Sequence, residues 1–161
     1  MKVRTLIAVV VLFVASVPVW SAVNASAGFD SLKTLAGSWE AKGPDGKPTV
    51  TTLKLVSEGS VLMEEMAHES MITMYHLDGD HLLLTHYCGA KNQPRMKGDI
   101  SADGKTITFD FMDGTNLASP GDAHMHKMIL TFVDKDHFSE TWFFHKDGKE
   151  SMHATFLYSR K

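Results

Sequence analysis

Two places in this chain set imidazole and thiol groups two residues apart: His86-Tyr87-Cys88 and His124-Met125-His126. On an extended strand, residues i and i+2 point to the same side, so each triplet would present both of its reactive groups together. Imidazole and thiolate in that arrangement could supply the soft, roughly tetrahedral ligand set of zinc or copper, with His86, Cys88, His124 and His126 as the ligands. The same groups could instead form a polar rim of hydrogen-bonded histidines above an apolar cavity. Arg95, in Asn92-Gln93-Pro94-Arg95, could pair with a ligand carboxylate through its guanidinium fork. Glu140 shares the bulky face of a strand with Phe138 and Trp142, and a charge pointing into a core must be paired or neutral. The chain has no Gly-x-Ser-x-Gly, no His-Glu-x-x-His and no phosphate-binding loop. A nucleophilic Cys88 would need His124 or His126 as its base, because His86 on the same strand is too far for a good direct bond. These residues read as a binding site rather than a catalytic one.

The elements that must position them are short strands. Asp-Gly pairs at Asp45, Asp78, Asp103, Asp113 and Asp147 are strong turn signals, since Gly takes positive φ at no steric cost and Asp tolerates it. Between them the sequence is rich in Thr, Val, Ile and aromatic residues, often in alternation. Strands are expected near Trp39–Ala41, Thr49–Ser57, Ser60–Ala67, Met71–Leu77, His81–Cys88, Met96–Ser101, Lys105–Met112, Ala123–Val133, His137–His145 and Ser151–Ser159, after a short helix over Phe29–Ala36. The Asp78-Gly79 hairpin is expected to pair Tyr75 with Leu82. Ten short strands in series suggest an all-β fold, an antiparallel up-and-down meander that closes into a barrel and so leaves no edge.

In such a meander the connections alternate between two ends. One end receives the tight turns at Glu58-Gly59, Asp78–Asp80, Ala102–Gly104 and Asp134–Asp136. The other receives Lys42–Pro48, His68–Ser70, Gly89–Arg95, Asp113–Asp122 and Lys146–Glu150, which are mostly longer and read as a mouth. Six of the nine histidines, His68, His86, His124, His126, His145 and His153, fall at the mouth; His76, His81 and His137 fall at the floor. Alternation turns His124, His126, Met128, Leu130 and Phe132 inward, and leaves His145 and His153 outside. The face carrying Leu82, Leu84, His86 and Cys88 is expected to point inward too. Tyr75, His86, Cys88, Arg95, His124, His126, Met128, Glu140 and Trp142 are then the candidate ligand-binding residues. Met63, Met71, Met74, Met128 and Met152 either fill core gaps or line an adaptable pocket.

The first 27 residues read as a signal peptide, with 28–161 as one barrel domain. Lys2 and Arg4 precede an apolar run from Leu6 to Val14, and small residues then offer cleavage after Ala25 or Ala27. The run is shorter than the roughly 20 residues a spanning helix needs, and Pro18 follows it. The expected location is therefore secreted or periplasmic, with no membrane insertion after cleavage. The net charge of −3, and the lack of any basic run, argue against nucleic acid and anionic membrane as partners. Cys88 is the single cysteine, so no internal disulfide supports the fold.

Gly37-Ser38-Trp39 on the first strand, with Arg160 ending the last, resembles the signature of the calycin barrels: lipocalins, fatty-acid-binding proteins and nitrobindin-like proteins. The chain also resembles bacterial secreted lipocalin-like families of unknown function. The resemblance implies that Arg160 packs over the Trp39 ring at the closed end, with Gly37, Trp39 and Arg160 as the structural signature. Ten strands favour the fatty-acid-binding and nitrobindin type over the eight-stranded lipocalins. The resemblance speaks to fold; a small, mostly apolar or amphipathic ligand is expected from the Met- and aromatic-lined interior. Because nitrobindin-like barrels hold haem through a histidine, the resemblance also makes haem possible, beside zinc or copper at the His/Cys cluster.

Overall fold

The computed structural model describes residues 24–42, 46–66 and 70–161. Helix α1 (Ala25–Lys33) is followed by β1 (Gly37–Lys42), β2 (Pro48–Val56), β3 (Val61–Met66), β4 (Met71–Asp78), β5 (His81–Tyr87), β6 (Gln93–Ile100), β7 (Thr106–Thr115), β8 (His124–Asp134), β9 (His137–Lys146) and β10 (Lys149–Arg160). Each strand pairs antiparallel with its sequence neighbours, and β1 pairs with β10 to close the barrel. The expected up-and-down barrel of ten strands is the fold observed. Of the segment expected as a signal peptide, residues 1–23 lie outside the described residues, and Asn24 to Ala27 form the N-cap and first turn of α1.

The helix starts four residues earlier than the sequence pattern suggests. Asn24 accepts a 2.8 Å bond from the Ala27 amide, which satisfies one of the free donors of the first turn. Phe29 and Leu32 are buried, and Gly28 sits where a Cβ would come within 2.7 Å of Ile100 Cγ1. That missing side chain is what lets α1 lie against Leu82 and Ile100, across one end of the barrel. The hairpin of β4 and β5 pairs Tyr75 with Leu84 and Leu77 with Leu82, two residues from the expected register. Parity is unchanged by a two-residue slip, so the same side chains still face inward.

The floor is locked where the two ends of the sheet meet. Trp39 is opposite Arg160, and the guanidinium lies 4.1 Å from the centre of the indole ring, a cation–π contact. Arg160 also donates to the carbonyls of Ala36, Thr34 and Lys135. The indole donates to Leu35 O at 2.7 Å and meets Phe138 edge-on at 4.7 Å. Gly37 has φ +141°, and a Cβ there would stand 2.8 Å from the Arg160 Nη1. The Gly-x-Trp…Arg pattern is thus one steric and electrostatic unit.

The interior is filled. Leu62, Tyr75, Leu82, Leu84, Met96, Ile107, Phe109, Met128 and Leu130 are all 0 % exposed. Irregularities shape the upper rim, among them a register shift between Arg95 and Met96 in β6–β7. The β7–β8 ladder stops at Asp110↔Lys127. The β8–β9 register shifts between Met125 and Lys127, and the β9–β10 register between Glu150 and Met152. Each shift sets an unpaired residue into its strand, a β-bulge that re-aims the side chains around it.

Candidate functional site

A set of polar side chains crosses the inner wall of this otherwise apolar barrel. Glu64 on β3, Thr73 on β4 and His86 on β5 are cross-strand partners in one row. Tyr75 lies two residues along β4 from Thr73. Glu140 and Trp142 come from β9, joining from the far side. All six are buried, Glu64, Thr73, Tyr75 and Glu140 completely. The Tyr75 hydroxyl donates to Glu64 Oε2 at 2.7 Å and lies 3.4 Å from Glu140 Oε1. Trp142 Nε1 donates to Glu140 Oε2 at 3.0 Å.

Among the described residues no cation pairs with the two carboxyls, and burial is the largest influence on their protonation. Burial raises Glu64 well above the ordinary carboxylate range, and the neighbouring Glu140 charge raises it further. Burial raises Glu140 to about 7, against the opposing hydrogen bonds from Trp142, Glu64 and Tyr75. Glu64 is therefore the protonated partner and Glu140 the acceptor. Among the described residues Glu64 Oε1 has no hydrogen-bond partner, donor or acceptor.

His86 stands at the mouth side of this group. Its Nδ1 is 3.0 Å from Thr73 Oγ1, and its ring lies 4.6 Å from the Trp142 ring. Its Nε2 is buried and has no hydrogen-bond partner among the described residues. Desolvation lowers its pKa to about 4, so the imidazole is neutral at physiological pH. A buried unpaired polar atom costs about 1–3 kcal/mol.

Of the sequence-derived candidates, the fold brings Tyr75, His86, Glu140 and Trp142 together, with Met128 beside Trp142 as its cross-strand partner. Cys88 lies just past the end of β5 in a tight turn closed by Cys88 N–H donating to Asn92 O. Burial raises its thiol pKa, which keeps it protonated. His124 is buried at the rim beside Phe111, 4.4 Å between ring centres. Two placements differ from the sequence reading. Arg95 is on β6, not on a mouth loop, and makes a bidentate pair with Asp113 at 2.6 and 2.5 Å on the exposed surface; its fork is already occupied. His126 does not share the inner wall with Met128; above the bulge His124 pairs with His145 and Met125 with Phe144, so Met125 packs against the core in place of the two histidines. The β8 bulge turns His126 to stack on His145 at 3.9 Å, in a groove it shares with Lys127, Ile129 and Phe143. Glu64 and Thr73 are the members the sequence reading missed. Glu64 sits two residues from both Leu62 and Met66, which are buried, so strict alternation along β3 was the available signal.

The concavities of about 390–700 Å³ along the surface are lined by outer-face and rim residues, and none by Tyr75, His86, Glu140 or Trp142. Among the described residues, no three His, Cys, Asp or Glu side chains converge on a point that could hold a metal ion. Haem needs a flat apolar slot beside its histidine. Here Trp142 covers the His86 ring, and Leu84, Met96 and Met128 are fully packed, so the residues as they stand do not fit a porphyrin. Met63 and Met74 face each other on the outer side of β3 and β4, and Met152 is exposed, leaving Met128 and the half-buried Met71 of that set against the core.

No protein-family model and no curated protein sequence matches the chain. Solved structures do. The crystal structure of Rv2717c from M. tuberculosis is similar with a TM-score of 0.52 at 16 % identity, over 83 % of this chain and 97 % of that one. A protein of unknown function from the DUF3598 family, from Nostoc punctiforme, gives a TM-score of 0.49 at 11 % identity, over 81 % of this chain and 48 % of that one. At 16 % identity the first likeness is one of fold: a closed antiparallel barrel, consistent with the calycin architecture.

Proposed function

We propose that this chain is an exported, calycin-type, lipocalin-like binding protein that holds a small, mostly apolar molecule at the mouth side of its barrel, with one polar group of that molecule on His86. The observation that carries the reading is the His86 Nε2 atom, buried and unpaired beside Trp142. A fold of this kind satisfies nearly all its buried polar atoms, and a partner from outside the chain would satisfy this one. The Trp142 ring supplies a flat apolar wall next to it. The packed interior means that a ligand enters by displacing side chains rather than by filling a standing void. Met128 and Met96, unbranched and adaptable, line the wall that would yield. Export rests on the order of basic, apolar and small residues in the first 27 positions, and the acidic balance fits a partner that is neither nucleic acid nor membrane.

The test pairs native mass spectrometry of the protein purified from cells with a titration against small apolar alcohols, acids and amines, read by Trp142 fluorescence. Wild type is expected to carry or bind an organic mass, and His86→Phe to lose it while keeping its circular dichroism. Binding that His86→Phe leaves unchanged, or no binding by wild type, would sink the proposal.

A further inference from the structure

The His86 ring carries one proton, and Thr73 decides which nitrogen holds it. Burial keeps the imidazole neutral at physiological pH, so one ring nitrogen is a donor and the other an acceptor. Thr73 Oγ1 lies 3.0 Å from Nδ1. Thr73 is wholly buried, and its hydroxyl has one proton to give. Among the described residues no other acceptor takes it. Glu64, the cross-strand partner of Thr73, leaves Oε1 without a partner, and its Oε2 is bonded by Tyr75. With the ring proton on Nδ1, the Thr73 hydroxyl proton and the Nε2 lone pair would both be orphaned in the core, and each orphan is costly. With the hydroxyl donating to Nδ1, only one group is left over. That group is an N–H on Nε2, a donor aimed at nothing within the described chain.

We propose that the ligand of this pocket is a neutral carbonyl compound, an apolar ketone, aldehyde or ester, whose oxygen accepts the Nε2–H of His86. The assignment rests on the reading that His86 contacts a ligand, and narrows it to one chemical class. A carbonyl oxygen answers the N–H and brings no donor of its own. The wall beside the ring suits that group. Trp142 lies 4.6 Å from the imidazole, and its own N–H is spent on Glu140 Oε2. Met128, the cross-strand partner of Trp142, offers only a thioether, a weak acceptor. An alcohol on the same skeleton would accept from Nε2–H but bury a proton against that wall. An ammonium group would set donor against donor. A carboxylate would accept, but among the described residues no cation pairs with the buried acids Glu64 and Glu140, and a second buried negative charge beside them is costly.

Two measurements on the processed protein test this, one of them without any ligand. In long-range proton–nitrogen NMR correlations at neutral pH, His86 is expected as the Nε2–H tautomer, its signals assigned by their loss in His86→Phe. An Nδ1–H ring overturns the carbonyl assignment and leaves the pocket itself standing. The second measurement is isothermal titration with a matched eight-carbon series: methyl hexyl ketone, and the secondary alcohol and the amine on the same skeleton. The ketone is expected to bind at least tenfold tighter than the alcohol, and the amine more weakly than either. Thr73→Val frees the ring to present a lone pair at Nε2 as well, so the ratio of ketone to alcohol affinity should narrow while the circular dichroism is kept. A ratio that Thr73→Val leaves unchanged overturns the assignment. So does an alcohol or amine that binds tighter than the ketone and is lost with His86→Phe. Binding of none of the three, or ketone binding that His86→Phe leaves unchanged, overturns the pocket and the carbonyl assignment together.

Discussion

Tyr75 makes one unit of two carboxyls that would otherwise repel. Its hydroxyl donates to Glu64 and reaches toward Glu140, and both acids are wholly buried. Tyr75→Phe removes the shared donor and is expected to cost about 2–3 kcal/mol in urea unfolding, the penalty of an unsatisfied buried acceptor. Glu64→Gln should cost no more than about 1 kcal/mol, because an amide still offers an acceptor to Tyr75 and a donor to Glu140. Equal losses in the two variants would show that Glu64 is not the protonated partner. Much of this cluster follows from alternation: Tyr75, His86, Glu140 and Trp142 each sit two residues from a bulky apolar neighbour on their own strand. Arg95 was not legible in that way. Pro94 reads as a loop residue, since it cannot donate to a ladder, yet it occupies β6 opposite Gly114 next to a register shift, where a strand tolerates proline. That placement extends β6 to Gln93 and sets Arg95 against Asp113.

At the scale of elements, β1, α1 and the end of β10 act through one contact. Arg160 bridges three carbonyls from the segment after α1 and from the β8–β9 turn while covering the Trp39 ring. Lysine would keep the charge but cannot bond three divergent carbonyls from a planar fork. Arg160→Lys is therefore expected to cost about 2 kcal/mol, a hydrogen-bond loss of known scale. Gly37→Ala should be at least as damaging, because the new Cβ meets Nη1 at 2.8 Å from a backbone at φ +141°. A thermal melt of the two variants beside Trp39→Ala, for which truncation of a buried aromatic predicts about 3–5 kcal/mol, ranks the parts of the lock. A melt of Arg160→Lys identical to wild type would remove the cation from this account. The lock was readable in sequence only through the resemblance of Gly37-Ser38-Trp39 and Arg160 to the calycin signature. The β8 bulge was not. It arises from a register mismatch between β8 and β9, a property of two strands together, so counting along β8 alone kept His126 on the inner face.

The whole molecule closes its polar cluster away from solvent, so its stability must follow the protons bound inside. Glu140 has its folded pKa raised to about 7 from 4.5. Its contribution is full below pH 4.5 and is lost as pH rises through about 7. Glu64 is raised well above 4.5 by burial and by the Glu140 charge and behaves alike. His86 runs the other way: its folded pKa is lowered to about 4 from 6.5. Its contribution is present above 6.5 and lost as pH falls through about 4. Between pH 4.5 and 6.5 the two acids each subtract stability with rising pH and His86 adds it. One proton's worth of decline remains, about 1.4 kcal/mol per pH unit at most. The exposed carboxylates Asp103, Asp113, Asp122 and Asp134, held low by hydrogen bonds, lose their small contributions only at more acid pH. Urea midpoints across this window should therefore fall with rising pH in the wild type. Glu140→Gln removes one acid and should flatten the slope, since Glu64 and His86 then oppose each other. His86→Phe removes the base and should steepen it by the same amount. A wild-type slope of the opposite sign, or one that neither variant moves, would mean that water reaches the cluster and that the barrel is not closed around it.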